Sequence, residues 1–121
     1  QLQAARQVAP NQSAITIAEA GLCERWQDFA CADAAYAHVL EQQPNSGWLQ
    51  GRIGDFYRLN KENWEQAATH YELAVQLRPN DPWAHDRLAF VYKQVGNYAE
   101  AAKHYALTLD LFHPQNRIAE Y

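Results

Sequence analysis

The feature that most limits what this chain can fold into is a spacing. Four of its five prolines, Pro10, Pro44, Pro79 and Pro114, stand 34, 35 and 35 residues apart. Tyr36, Tyr71 and Tyr105 keep nearly the same step, and so do Ala32, Ala67 and Ala101. A period of this length means that one supersecondary unit recurs and that neighbouring units bury their apolar faces against each other. Within one period the apolar residues recur twice at helical spacing. Leu88, Ala89, Phe90 and Tyr92 mark a first helix that Gly96-Asn97 stops. Tyr98, Ala101, Ala102, Tyr105, Leu109 and Phe112 mark a second, closed by Pro114. Asp81-Pro82 supplies the start, a capping side chain and then a proline where its missing N–H costs nothing. No stretch alternates apolar and polar residues with β-branched enrichment, so the expected fold is all-α.

The block from Pro82 to Pro114 resembles the tetratricopeptide repeat. His85 stands where that family has its first aromatic, followed by Leu88-Ala89, Tyr92, Ala101, Tyr105 and Pro114. The preceding block reads Gln50, Ile53-Gly54, Tyr57, Ala67, Tyr71, Pro79, with one extra residue expected in its inter-helix turn. The block from Ser13 to Pro44 departs most: Glu19-Ala20 replaces the Leu-plus-small pair and Cys23 replaces the tyrosine. The resemblance implies a right-handed α-solenoid of antiparallel helical hairpins, about three repeats with half-repeats at both ends. In that reading 1–121 is a single domain. Residues 1–12 end a preceding repeat, 13–46, 47–81 and 82–115 are repeats, and 116–121 start a further helix. The small residues Gly54, Ala67, Ala89 and Ala101 allow close helix approach, and Tyr71 and Tyr105 fill the space between hairpins.

Composition narrows the function classes. The chain has 121 residues, a net charge of −4 and 48% hydrophobic residues, one domain's worth and too apolar to be disordered. The acidic balance argues against a nucleic-acid partner. No apolar run is long enough for membrane insertion, and no signal-peptide pattern opens the chain. The cytoplasm is the favoured compartment for this segment, which lacks methionine even at its first position and reads as a piece of a longer protein.

Chemistry-bearing residues form no reactive constellation. There is no P-loop, dinucleotide fingerprint, nucleophile elbow or His-Glu-x-x-His motif, so the expectation is no enzyme and no cofactor. His70 and His104 are 34 residues apart, equivalent places on successive second helices. Such places lie roughly 10 Å apart, too far to share a zinc bound at about 2 Å, so no metal site is expected and both read as solvated or half-buried. His85 reads as a packing histidine. Cys23 and Cys31 lie on two helices of one hairpin, read as a reduced pair, with a disulfide as the alternative in a secreted protein. Glu24, Asp28, Asp33 and Glu41 are spread as on solvated faces.

One face stands out. In the family, the first helix of each hairpin lines a concave groove where extended peptides bind. Here that face holds Trp48, Gly51, Arg52, Asp55 and Arg58, and one period later Trp83, Asp86, Arg87, Phe90 and Lys93. Tryptophan recurs over tryptophan, arginine over arginine and base over base, a local +2 in a chain of net −4. Aromatics with arginine are the usual composition of a binding hot spot. The same face of the first block offers only Ile17, Ala18 and Gly21. The chaperone-binding carboxylate clamp known in the family is disfavoured, because Gly21 and Arg52 stand where its asparagines would be and only Arg87 matches.

The candidate site is therefore Trp48, Arg52, Asp55, Arg58, Trp83, Arg87, Phe90 and Lys93, and the partner a protein or peptide with acidic and apolar residues. The alternative reading places this segment as the regulatory or assembly domain of a larger enzyme or membrane-associated complex. A third is self-association through Leu2, Ala5 and Val8 at one edge and Ile118 and Tyr121 at the other.

Overall fold

The computed structural model describes residues 2–112, with side chains from residue 12 onward. The described residues form helices and turns with no strand among them. Six α-helices follow in order: α1 (Leu2–Arg25), α2 (Phe29–Gln42), α3 (Gly47–Phe56), α4 (Trp64–Leu77), α5 (Pro82–Gln94) and α6 (Tyr98–Phe112). α3 runs directly into a π-helical turn, Tyr57–Lys61. The chain divides into two compact units, Gln1–Pro44 and Asn45–Tyr121. No helix among the described residues is long and apolar enough to cross a membrane. The residues named as exposed edges lie outside the description: Ile118 and Tyr121 altogether, Leu2, Ala5 and Val8 as to their side chains.

In the first unit α1 and α2 form a hairpin whose core is Ala20, Cys23, Ala32, Tyr36 and Val39. The departures from the repeat pattern are absorbed locally, Ala20 being buried as Gly54 and Ala89 are and Cys23 being buried where Tyr57 and Tyr92 stand in later hairpins. Pro10, expected to close an earlier helix, instead lies inside α1. Pro44 and Pro79 are each followed within three residues by a side chain that caps the next helix, Ser46 and Asp81. After Pro10 the corresponding hydroxyl, Ser13, donates across the hairpin to Gln42 Oε1 at 3.0 Å, so nothing stops the helix. The expectation of a reduced cysteine pair is also corrected. Cys23 in the last turn of α1 and Cys31 in the first turn of α2 are joined as a disulfide, with Cα atoms 5.8 Å apart. Two further residues read as solvated have partners: Asp28 caps α2 through the Cys31 N–H at 3.2 Å, and Glu24 accepts the Tyr36 hydroxyl.

The second unit contains two hairpins, α3 with α4 and α5 with α6, and α4 packs on α5. Its core joins Ala67 and Tyr71 of α4 to Leu88 and Val91 of α5, with Tyr57, Trp64, Ala68, Val75 and Tyr92 packed around them. Tyr71 is fully buried, as its expected role between hairpins requires. The reason for Gly54 is the Tyr71 ring: a Cβ there would lie 2.6 Å from Tyr71 Cε1.

The extra residue of the second block lies in a different place from the one expected. The three turns inside the hairpins share a left-handed residue followed by a cap: Gln27-Asp28, Glu62-Asn63 and Gly96-Asn97. The turn length is thus unchanged. Asp28 N–H reaches the Cys23 carbonyl and Asn97 N–H the Tyr92 carbonyl, each five residues back at 2.8 Å. Asn63 N–H reaches the Tyr57 carbonyl, six back, at 3.0 Å. The insertion is taken up as a widened helical turn over Tyr57–Lys61, which keeps both the Schellman-type closure and the cap.

A cross-helix polar pair also repeats. His70 Nδ1 lies 2.7 Å from Gln50 Oε1 in one hairpin, and His104 Nδ1 lies 2.9 Å from His85 Nδ1 in the next. His85 is a packing histidine, as expected. His104 is buried rather than solvated or half-buried, with its Nδ1 partner, His85, also buried on the facing helix. Gly54→Ala should therefore destabilise the second unit by roughly 1–3 kcal/mol through overpacking against Tyr71, read as a lower urea midpoint with an unchanged slope.

Candidate functional site

Trp48, Arg52 and Asp55 follow one another on α3 at the same steps as Trp83, Arg87 and Phe90 on α5. Steps of four and three residues keep them on one helix face. The two faces border a groove of about 430 Å³. Trp48, Gly51, Arg52 and Asp55 form one wall, Trp83, Ala84 and Arg87 the other, and Tyr71 and Ala74 of α4 form the floor. Arg78 and Asp81 of the α4–α5 turn close one end. An adjoining hollow of about 260 Å³ is lined by Arg58, Trp83, Asp86, Arg87, Phe90 and Tyr105. Seven of the eight candidate residues line one hollow or the other. Lys93 is exposed one turn further along α5 and lines neither.

Asp55 is the electrostatic centre. Its Oδ1 lies 3.0 Å from Arg87 Nε on the other wall and 3.4 Å from an Arg58 terminal nitrogen, and it accepts the Tyr71 hydroxyl. Arg58 Nε in turn donates to the Tyr71 oxygen at 2.9 Å. Arg58 lies in the π-helical turn, not on α3, and its guanidinium is turned onto the groove floor. Burial lowers the Arg58 pKa, but the Tyr71 bond and the two partners together outweigh it and leave the guanidinium more firmly charged. Burial, reinforced by the Asp55 bond, pushes the Tyr71 phenol far above its ordinary range, so it stays a neutral donor.

The aromatic residues remain open. Trp48 is 54% and Trp83 57% exposed, so neither is buried against a neighbouring hairpin. The Arg87 guanidinium lies 5.7 Å from the Trp83 ring centre and that of Arg58 5.7 Å from Phe90. Trp83 also meets Phe112 of α6 edge-on at 5.3 Å. The local +2 is thus unevenly distributed. Asp55 engages Arg58 and Arg87, whereas Arg52 and Lys93 have no ion-pair partner among the described residues. Tyr71, Arg78 and Asp81 line the same groove although the face reading did not include them. Tyr71 lies 16 residues from Asp55 in sequence, and only the hairpin brings them together. Among the described residues no group of three or more His, Cys, Asp or Glu side chains could hold a metal ion.

Residues 58–96, from the π-helical turn to the end of α5, match the family model described as TPR repeat. That segment therefore carries a tetratricopeptide repeat, a module that generally serves in non-catalytic protein-interaction scaffolds. Several solved structures share the fold. MamA 41-end from Desulfovibrio magneticus RS-1 is 19% identical with a TM-score of 0.76, covering 90% of this chain and 61% of that one. MamA AMB-1 is 25% identical with a TM-score of 0.70, covering 87% and 61%. The first TPR of Spaghetti (RPAP3), bound to the HSP90 peptide SRMEEVD, is 19% identical with a TM-score of 0.73, covering 87% and 82%. This chain spans about three-fifths of the two MamA chains it matches. No curated protein sequence matches it.

Asp55→Asn should destabilise the second unit by on the order of 1–2 kcal/mol, since it removes the charge that two arginines and Tyr71 share at partly shielded sites. Denaturant titration measures this, and raising salt should shrink the difference between wild type and variant.

Proposed function

We propose that the groove between α3 and α5 holds an extended segment of a partner protein, with a carboxylate at Arg52 and apolar side chains against Trp48 and Trp83. The observation that carries this reading is the separation of the two arginines. Asp55 ties Arg87 to the α3 wall, while Arg52 lies on the same groove without an ion-pair partner among the described residues, beside two tryptophans that are more than half exposed. A carboxylate could receive the Arg52 fork in two parallel bonds, and indole faces offer apolar area that loses little freedom on binding. A chain of the same fold holding the peptide SRMEEVD, which carries two glutamates and an aspartate, is consistent with an acidic extended ligand. The reading covers this segment, as a protein-interaction scaffold without catalysis of its own.

Arg52 and Arg87 now separate in their expected behaviour. Arg52→Ala should weaken capture of an acidic-apolar peptide about ten-fold or more, as loss of one charge-assisted bond implies, and leave the melting temperature nearly unchanged. Arg52→Lys should also weaken it, because an ammonium lacks the planar fork. Arg87→Ala should lower the melting temperature, since Asp55 then loses its partner across the groove. Peptide-array capture and thermal melts on the same variants check this; an Arg52→Ala variant that binds normally but melts early would overturn it.

A further inference from the structure

His85 and His104 are 4% and 9% exposed and face each other between α5 and α6. Their Nδ1 atoms are 2.9 Å apart and their rings stack with centres 5.1 Å apart. The tautomers follow from one carbonyl. His85 Nε2 lies 2.8 Å from the Pro79 carbonyl oxygen, which can only accept, so His85 carries its proton on Nε2 and leaves Nδ1 as an acceptor. His104 must then donate from Nδ1. Its own Nε2 is left with a bare lone pair, 3.8 Å from the Glu100 carboxylate.

We propose that this pair is an acid-sensitive latch on the α5–α6 hairpin, which accepts one proton and opens on the second. With one added proton the Nδ1 bond survives whichever ring takes it, since a single N–H still lies between the two Nδ1 atoms and His104 Nε2 faces Glu100. The second puts an N–H on both Nδ1 atoms. Two N–H groups of two cations would then face each other at a distance set for a hydrogen bond, inside a buried site. The surrounding groups do not relieve this. Burial foremost, then His85 and Lys103 of α6, lower the His104 pKa against the opposing pull of Glu100 and of Glu72 on α4. Tyr92 of α5, with its ring 5.7 Å from His104, is engaged in donating to Glu72 at 2.6 Å. Because the folded pKa of His104 lies below its unfolded value, stability is complete above the unfolded pKa of about 6.5. It is lost as pH falls through that value toward the folded one.

The neighbouring hairpin contains the control. Its equivalent pair is Gln50 with His70, and a glutamine carbonyl accepts from a histidine whether or not the far nitrogen is protonated. Burial lowers the His70 pKa as well, so acid also weakens that hairpin, but by one proton against the two of the histidine pair. Trp83 meets Phe112 across the α5–α6 seam, and α5 carries one wall of the groove, so opening the latch would dismantle that wall. The latch itself does not depend on the groove being a binding site.

The test is urea unfolding of the intact chain and of His85→Gln, which copies the neighbouring pair, at pH 6.5 and 5.5. Between these values the unfolding constant of the unmutated chain should rise up to about ten-fold more than that of the variant, one proton's worth of linkage. Parallel pH dependences would overturn the latch. Should His85→Gln not fold, nitrogen-15 spectra of the unmutated histidine rings carry the test. The pair should gain a single proton while the α5–α6 amides stay protected, and protection should vanish as it takes the second. Both rings doubly protonated under intact protection would equally refute it.

Discussion

The second unit depends on one close approach, the Tyr71 ring against Gly54. Because Gly54 has no side chain, α4 can bring a whole phenol beneath α3, and that phenol reaches Asp55 one residue further on. A buried hydroxyl needs a partner, and a carboxylate facing the groove supplies it. The same carboxylate then has charge enough to hold Arg58 and Arg87. One small residue therefore sets helix spacing, core filling and the electrostatics of the groove together. Few arrangements couple a packing constraint so directly to a surface property.

The repeats are alike in closure and unlike in detail. Each turn inside a hairpin passes through a left-handed residue and a side-chain cap, and this survives the insertion after Tyr57 because the widened turn absorbs it. The consequence lies at Arg58, whose backbone sits in that turn and whose guanidinium bonds to Tyr71. A similar economy governs the cross-helix pairs, which keep their place while exchanging glutamine for histidine. The exchange costs little at neutral pH, since either side chain can accept one bond. Its effect on proton uptake is large, because only imidazole has a second state.

The groove is less basic than its residue list suggests and more aromatic. Asp55 cancels much of the charge of the two arginines nearest it, and their guanidinium planes lie near Phe90 and Trp83. What the groove exposes is apolar indole area with Arg52 beside it. That combination favours selectivity for where a carboxylate falls along an extended ligand over general attraction to negative charge.

The sequence by itself determined the helical hairpins, their order, the Asp81 cap and the face that carries the tryptophans and arginines. These follow from local rules, 3.6-residue periodicity, capping side chains and a 35-residue recurrence, which a chain states along its own length. It did not determine which arginine is paired, whether His104 is solvated, whether Cys23 and Cys31 meet, or whether Pro10 breaks its helix. Each of those depends on a partner many residues away: Asp55 for Arg87, His85 for His104, the facing cysteine, and Gln42 for Ser13. Tertiary structure decided them because hydrogen-bond and charge energies fall off within a few ångströms, and only folding brings groups that far apart in sequence within that reach.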